Sequence, residues 1–142
     1  IADLMAELEE KKYYEFDKDK LGEFYAGFAT VDETNATIKK MYEEQEYLLD
    51  THTAVAYKVY QDYVNETGDE TPTVIAATAS CYKFAKSVAD SIGLAKEKNG
   101  FEYIKAIYEA TKLEIPDGLK DLDKKEVRHK DVIEKEDMRR VI

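Results

Sequence analysis

The chain has 142 residues, 44% hydrophobic and 37% charged, which is enough for one folded domain and too apolar for a disordered segment. Its 31 acidic and 21 basic residues leave a net charge of −10, which excludes the basic face that nucleic acid requires and disfavours an anionic membrane surface. One cysteine rules out an internal disulfide framework, and no apolar run approaches the ~20 residues of a spanning helix, so a cytoplasmic location is expected. The chain begins with Ile1 rather than Met and no targeting signal opens it, so it is expected to be a piece of a longer polypeptide.

Ile1, Leu4, Met5 and Leu8 follow helical spacing and predict an amphipathic first helix with a core-facing stripe. Tyr13-Tyr-Glu-Phe16 breaks the pattern and reads as extended. Leu21, Phe24, Tyr25 and Phe28 restore the helical period and predict a second core-facing helix. Thr30-Val-Asp-Glu33 is a capping-box signature, with Asp32 as the rival cap; the helix it starts carries Ile38, Met41 and Tyr42 inward to about Tyr47. Asp50-Thr-His-Thr53 is a turn able to cap the next helix. Val55, Val59 and Tyr63, with Ala56, Tyr60 and Val64, give that helix a face wide enough for burial against two neighbours.

A polar connection, residues 66–72, leads to the most informative stretch, residues 71–93. Pro72 precedes Thr73, Val74 and Ile75, all β-branched, and with Ala76 and Ala77 these predict a buried strand over about Thr73–Thr78. Phe84, Val88 and Ile92, with Ala85 and Ala89, then predict a helix stopped at Gly93, with Ser80 as its N-cap. A strand that runs straight into a helix N-terminus is a place where α/β proteins bind ligands. After a solvated link to Gly100, a helix is predicted through Phe101, Ile104, Ile107, Tyr108 and Thr111, ended before Pro116. Asp117 to Lys130 reads as a surface tail, and Glu134 to Ile142 as a final short helix. The expected fold class is α/β, dominated by helices. Its expected parts are a mainly helical region 1–70, a strand-turn-helix ligand element 71–93, and a helix and tail over 94–142.

Thr78-Ala-Ser-Cys-Tyr-Lys-Phe84 closely resembles the Thr-Ala-Ser-Pro-Tyr-Lys-Phe element of bacterial threonine synthases. Tyr47-Leu-Leu-Asp-Thr-His-Thr-Ala-Val-Ala56 is similar to that family's Asp-Pro-His-Thr-Ala-Val segment. Ile115-Pro-Asp-Gly-Leu-Lys-Asp-Leu122, followed by Val127-Arg-His-Lys130, resembles the family's ending. The three stand in the family's order. The resemblance implies the C-terminal segment of a fold-type-II pyridoxal-phosphate enzyme that converts O-phosphohomoserine and water to threonine and phosphate. It implies that the Schiff-base lysine and the phosphate loop belong to the rest of the polypeptide, so the segment is expected to hold no catalytic residue and to be inactive alone. Its expected partners are O-phosphohomoserine and the rest of its own chain. Thr51 and Cys81 depart from the pattern by replacing prolines, which bears on local turn geometry.

By this resemblance Thr78 is the partner of the cofactor's pyridine nitrogen, whereas the residue type alone also suits a strand-end threonine bonded to local backbone. Capping explains Ser80, and a cofactor contact is its second reading. His52 suits a capping turn and, alternatively, the active-site wall. Lys83 is not read as the Schiff-base lysine; as a helix-start cation it hints at a nearby anion, also in the wall. His52 and His129 lack the companions a metal site needs, so no metal is expected. A related dehydratase and a free-standing acidic helical interaction module are the competing readings.

Overall fold

Two capping sequences organise the first half of the chain. In this computed structural model, which describes all residues except Tyr14, Phe16, Lys18, Asp19, Leu21, 95–98 and Ile142, Thr30 caps helix α2 (Val31–Gln45). Its hydroxyl oxygen accepts from Glu33 N at 3.3 Å, and its own backbone N–H donates to Glu33 Oε2 at 2.8 Å. Asp50 caps α3 (Thr51–Thr67), accepting from His52 N at 2.8 Å and Thr53 N at 3.3 Å. Between them Leu48 and Leu49 are buried, turning the chain so that α2 and α3 pack together.

A second capping box, Asn99 with Glu102, starts α5 (Gly100–Thr111). The short α4 (Ala85–Ser91) lies between α2 and α5 and packs on both. Ile38 of α2, Val88 of α4 and Ile107 of α5 are wholly buried at the meeting point. Leu48, Leu49, Ala54, Tyr82 and Tyr103 close the core around them. Ser91 donates to Asn35 Oδ1 at 3.0 Å, tying α4 to α2. Gly93, at φ 77°, stops α4 where the sequence predicts, and Leu94 N donates back to Ala89 O at 2.8 Å.

The α/β expectation is not met. Among the described residues there is no strand, and the chain is helical throughout its regular elements. Thr73–Thr78 has strand letters but no second strand to pair with; a strand without a ladder leaves its backbone groups to water. All but Ile75 of these residues are exposed, and Val74 is 95% exposed, so the segment is not buried either.

Four helix expectations also change. The first helix forms, as α1 (Ala2–Lys11), but buries none of its residues, so its apolar stripe is not a core face. The helix after Ser80 begins at Ala85, because Cys81–Phe84 form a turn. In α3 only Thr53 and Ala54 are buried, and the wide face is half-buried or, at Ala56, exposed. The last helix is a 3₁₀ turn, Lys135–Asp137, followed by α6 (Met138–Val141).

The helix expected over Leu21–Phe28 is absent over Phe24–Thr30, which form an irregular strap across α3; Leu21, like Tyr14 and Phe16 of the expected extended stretch, lies outside the described residues. Tyr25 packs edge-on against Tyr63 with ring centroids 5.0 Å apart and donates to Glu66 Oε2 at 2.7 Å. Gly27 lies against Val59, and Ala29 lines a groove with Val55. Strap residues two apart thus meet α3 residues four apart. The match is geometric: two extended residues advance roughly 6.6 Å and four helical residues about 6 Å. A period of two puts Tyr25, Gly27 and Ala29 inward and leaves Phe24 and Phe28 outward.

Candidate functional site

The turn Thr78–Phe84 joins the exposed segment to α4, and its local bonds follow from small hydroxyl residues beside a buried aromatic. Ser80 Oγ accepts from Tyr82 N at 3.2 Å, and Ser80 O accepts from Lys83 N at 3.0 Å. Ser80 therefore caps the turn rather than α4 itself. Cys81 and Tyr82 point inward; burial pushes the Cys81 thiol above its usual range and Tyr82 up to about 12. Tyr82 donates to Leu113 O at 2.6 Å, anchoring the turn to the segment after α5.

The second half of the site is the first turn of α3. Asp50 is buried, and besides its two backbone partners it accepts a short hydrogen bond from the Thr53 hydroxyl. That saturation fixes the helix start and the backbone of His52. The His52 side chain is largely exposed, with Nδ1 3.6 Å from Asp50 Oδ1 and 3.4 Å from Thr51 Oγ1. Its ring lies 5.2 Å from that of Phe84, tilted by 35°.

Phe84 is the hinge of the site. On one side a groove of about 430 Å³ is lined by His52, Thr51, Val55, Ala29, Asn35 and Ser87, among others. On the other, a groove of about 420 Å³ is lined by Lys83, Ser87, Phe101, Ile104 and Leu119. Lys83 Nζ sits 5.6 Å from the Phe84 ring centre, a cation over an aromatic face.

Of the four residues singled out from sequence, His52 and Lys83 thus meet a common ring. Thr78 and Ser80 are exposed on the approach to it and line neither groove. The Thr78 hydroxyl has no hydrogen-bond partner among the described residues, which leaves it a donor to spare. Among the described residues no group of three or more His, Cys, Asp or Glu side chains is arranged to hold a metal ion. Sequence reasoning missed Phe84 as a site residue by reading it as helix stripe, though it stands between Lys83 and the helix proper and is 41% exposed. It also missed Asn35 and Ser87, whose small polar side chains carry no signal of their own.

A family model described as threonine synthase, C-terminal, matches residues 53–142, and the chain is a member of that family. The span takes in Thr78, Ser80 and Lys83 and begins one residue after His52. The chain is also similar to threonine synthase-like 1 of Mus musculus, 39% identical over 77 residues, which are 54% of this chain and 10% of that relative. The chain therefore spans about a tenth of that relative's length. No helix is long and apolar enough to cross a membrane among the described residues.

Proposed function

We propose that the chain is the C-terminal segment of a cytoplasmic, pyridoxal-phosphate-dependent threonine synthase. The reaction is conversion of O-phosphohomoserine and water to threonine and phosphate, and residues 1–142 act as one unit with the rest of the polypeptide. The observation that carries this is the family match over residues 53–142, which contains a turn whose Thr78 hydroxyl is unengaged among the described residues. Pyridoxal phosphate supplies the electron-withdrawing ring on which such eliminations depend.

The residues present fit that group. Thr78 would donate a neutral hydrogen bond to the ring nitrogen without placing a full negative charge beside it. Ser80, occupied with Tyr82 N, holds the turn that presents Thr78. Lys83 and His52, on either side of Phe84, offer a cation and an exposed imidazole that suit a phosphorylated, zwitterionic substrate. The segment provides positioning and no nucleophile or Schiff-base lysine, so by itself it releases no phosphate.

The test is Thr78→Val in the longer enzyme. The swap keeps the shape and removes the donor, which typically costs about 1–3 kcal/mol where the partner is left unpaired. Turnover and cofactor affinity should both fall while the thermal midpoint stays put. Unchanged kinetics with an unshifted cofactor spectrum would remove Thr78 from the site.

A further inference from the structure

Among the described residues the outer face of the strap has no partner. Phe24 and Phe28 are 82% and 80% exposed, four residues apart on one side of the strap. From Phe24 to Val31 there is no charged side chain, in a chain that is 37% charged. The backbone of Phe24–Ala29 makes no backbone hydrogen bond to any described residue. Val31, 76% exposed, carries this face into the groove of Ala29, Val55, His52 and Phe84. Charges stand only at its ends, on Glu23 and Asp32, both exposed.

The total area points the same way. The chain exposes 11934 Å², whereas a self-contained monomer of 16.3 kDa exposes roughly 7,500 Å². An uncharged, unpaired stretch on so open a molecule suits a covering surface better than solvent. Two copies of this chain would each bring a charge of −10, which opposes self-association. The chain's share of its mouse relative, about a tenth, leaves ample polypeptide to do the covering.

We propose that the face of Phe24, Phe28 and Val31, with the groove it enters, is where this segment docks against the larger remaining part of its threonine synthase polypeptide. The inference rests on the function proposed above. The partner face is apolar at its centre, receiving the two phenylalanines, and carries lysine or arginine at its rim opposite Glu23 and Asp32.

Hydrogen exchange of the amides of residues 24–29 tests it, measured in the 142-residue chain and in the longer polypeptide. In the chain alone these amides should exchange freely, and in the longer polypeptide at least tenfold more slowly. Phe24→Asp with Phe28→Asp in the longer polypeptide should abolish that protection while the amides of α2 and α5 stay protected. Because both rings face outward, the same double variant of the short chain should keep its helix content and thermal midpoint. Equal, fast exchange in the two wild-type proteins overturns the docking surface. So does protection in the short chain alone together with a dimer by light scattering, which would make a second copy the occupant. Phosphate release from O-phosphohomoserine by the longer polypeptide is assayed alongside. Release without protection sinks only the surface, and protection without release sinks only the proposed reaction.

Discussion

The Tyr82 hydroxyl donates to the Leu113 carbonyl oxygen across 2.6 Å, joining residues 31 apart in sequence. This one bond ties the turn that follows Thr78 to the segment leaving α5, so the position of the candidate site depends on the packing of the last long helix. Tyr82 is buried, and its burial keeps the phenol protonated up to about pH 12.

Tyr82→Phe should therefore destabilise the fold by about 1–2 kcal/mol, the cost of leaving the carbonyl without its donor. A pH signature separates this from simple packing loss. The unfolded phenol loses its proton near 10 and the folded one near 12. Stability from this group is present in full below pH 10 and is lost as pH rises from 10 to 12. Denaturant midpoints across that window should fall in the wild type, and the contribution of this residue to the fall should vanish in the variant.

How far the sequence foretold this arrangement differs from element to element. The caps at Thr30 and Asp50 were legible, because a cap is a local event decided by a few neighbouring side chains. Asn99-Gly-Phe-Glu102 carries the same signature and could have been read in the same way. The strap was not legible, since Phe24, Tyr25 and Phe28 satisfy a helical period while a period of two decides which of them faces α3. The strand over Thr73–Thr78 failed for a different reason: β-branched letters describe a residue's fitness for a sheet, and the sheet itself has to be supplied by other residues. The candidate site was half legible. The motif led to Thr78, Ser80 and Lys83, but that Phe84 joins Lys83 to His52 is a tertiary fact.

Asp69 guards the approach to the exposed segment. It accepts from Thr71 N at 2.9 Å, Thr71 Oγ1 at 2.6 Å and the Tyr63 hydroxyl at 2.6 Å, and these bonds, Thr71's hydroxyl first, lower its pKa to about 2. A carboxylate with a folded pKa below its unfolded value near 3.8 contributes stability above that value and loses it as pH falls toward 2. The carboxyl carbon of Asp69, followed by NMR, should titrate near 2. Tyr63→Phe should move the midpoint upward; a wild-type midpoint at the ordinary value would show that the clamp does not persist in solution.

Gly27 lies directly against Val59 of α3. A Cβ at this position would lie 3.0 Å from Val59 Cγ1 and 3.2 Å from Cγ2, so even Ala forces Val59 to give way, and Val at 27 cannot fit beside it. Gly27→Val should lift the strap from α3 or strain it in place, at a cost of about 1–3 kcal/mol. The Tyr25 phenol reports which. Its hydrogen bond to Glu66 raises its pKa in the native chain, so a lifted strap returns Tyr25 to the ordinary tyrosine value, while strain in place leaves the titration raised.

Cys81 replaces the proline of the threonine synthase element that residues 78–84 resemble, and its place in the fold sets the expected outcome of restoring it. Cys81 is the first residue of the turn Cys81–Phe84, four residues before α4 begins, and its backbone N–H has no backbone partner among the described residues. Proline therefore removes no backbone–backbone hydrogen bond here, and its restriction of the preceding residue toward extended backbone suits Ser80 at the head of a turn. The opposing effect is packing: the sulfur is buried in the core cluster, and the proline ring must fill its place. Restricting the unfolded chain stabilises by about 0.4–1 kcal/mol, which is of the same order as the packing lost. Cys81→Pro should accordingly shift the denaturant midpoint little in either direction. A loss near 3 kcal/mol, the cost of proline inside a regular element, would mean that Cys81 belongs to a helix. In that case Thr78 would also be misplaced relative to the turn, and its proposed role at the cofactor would fall with it.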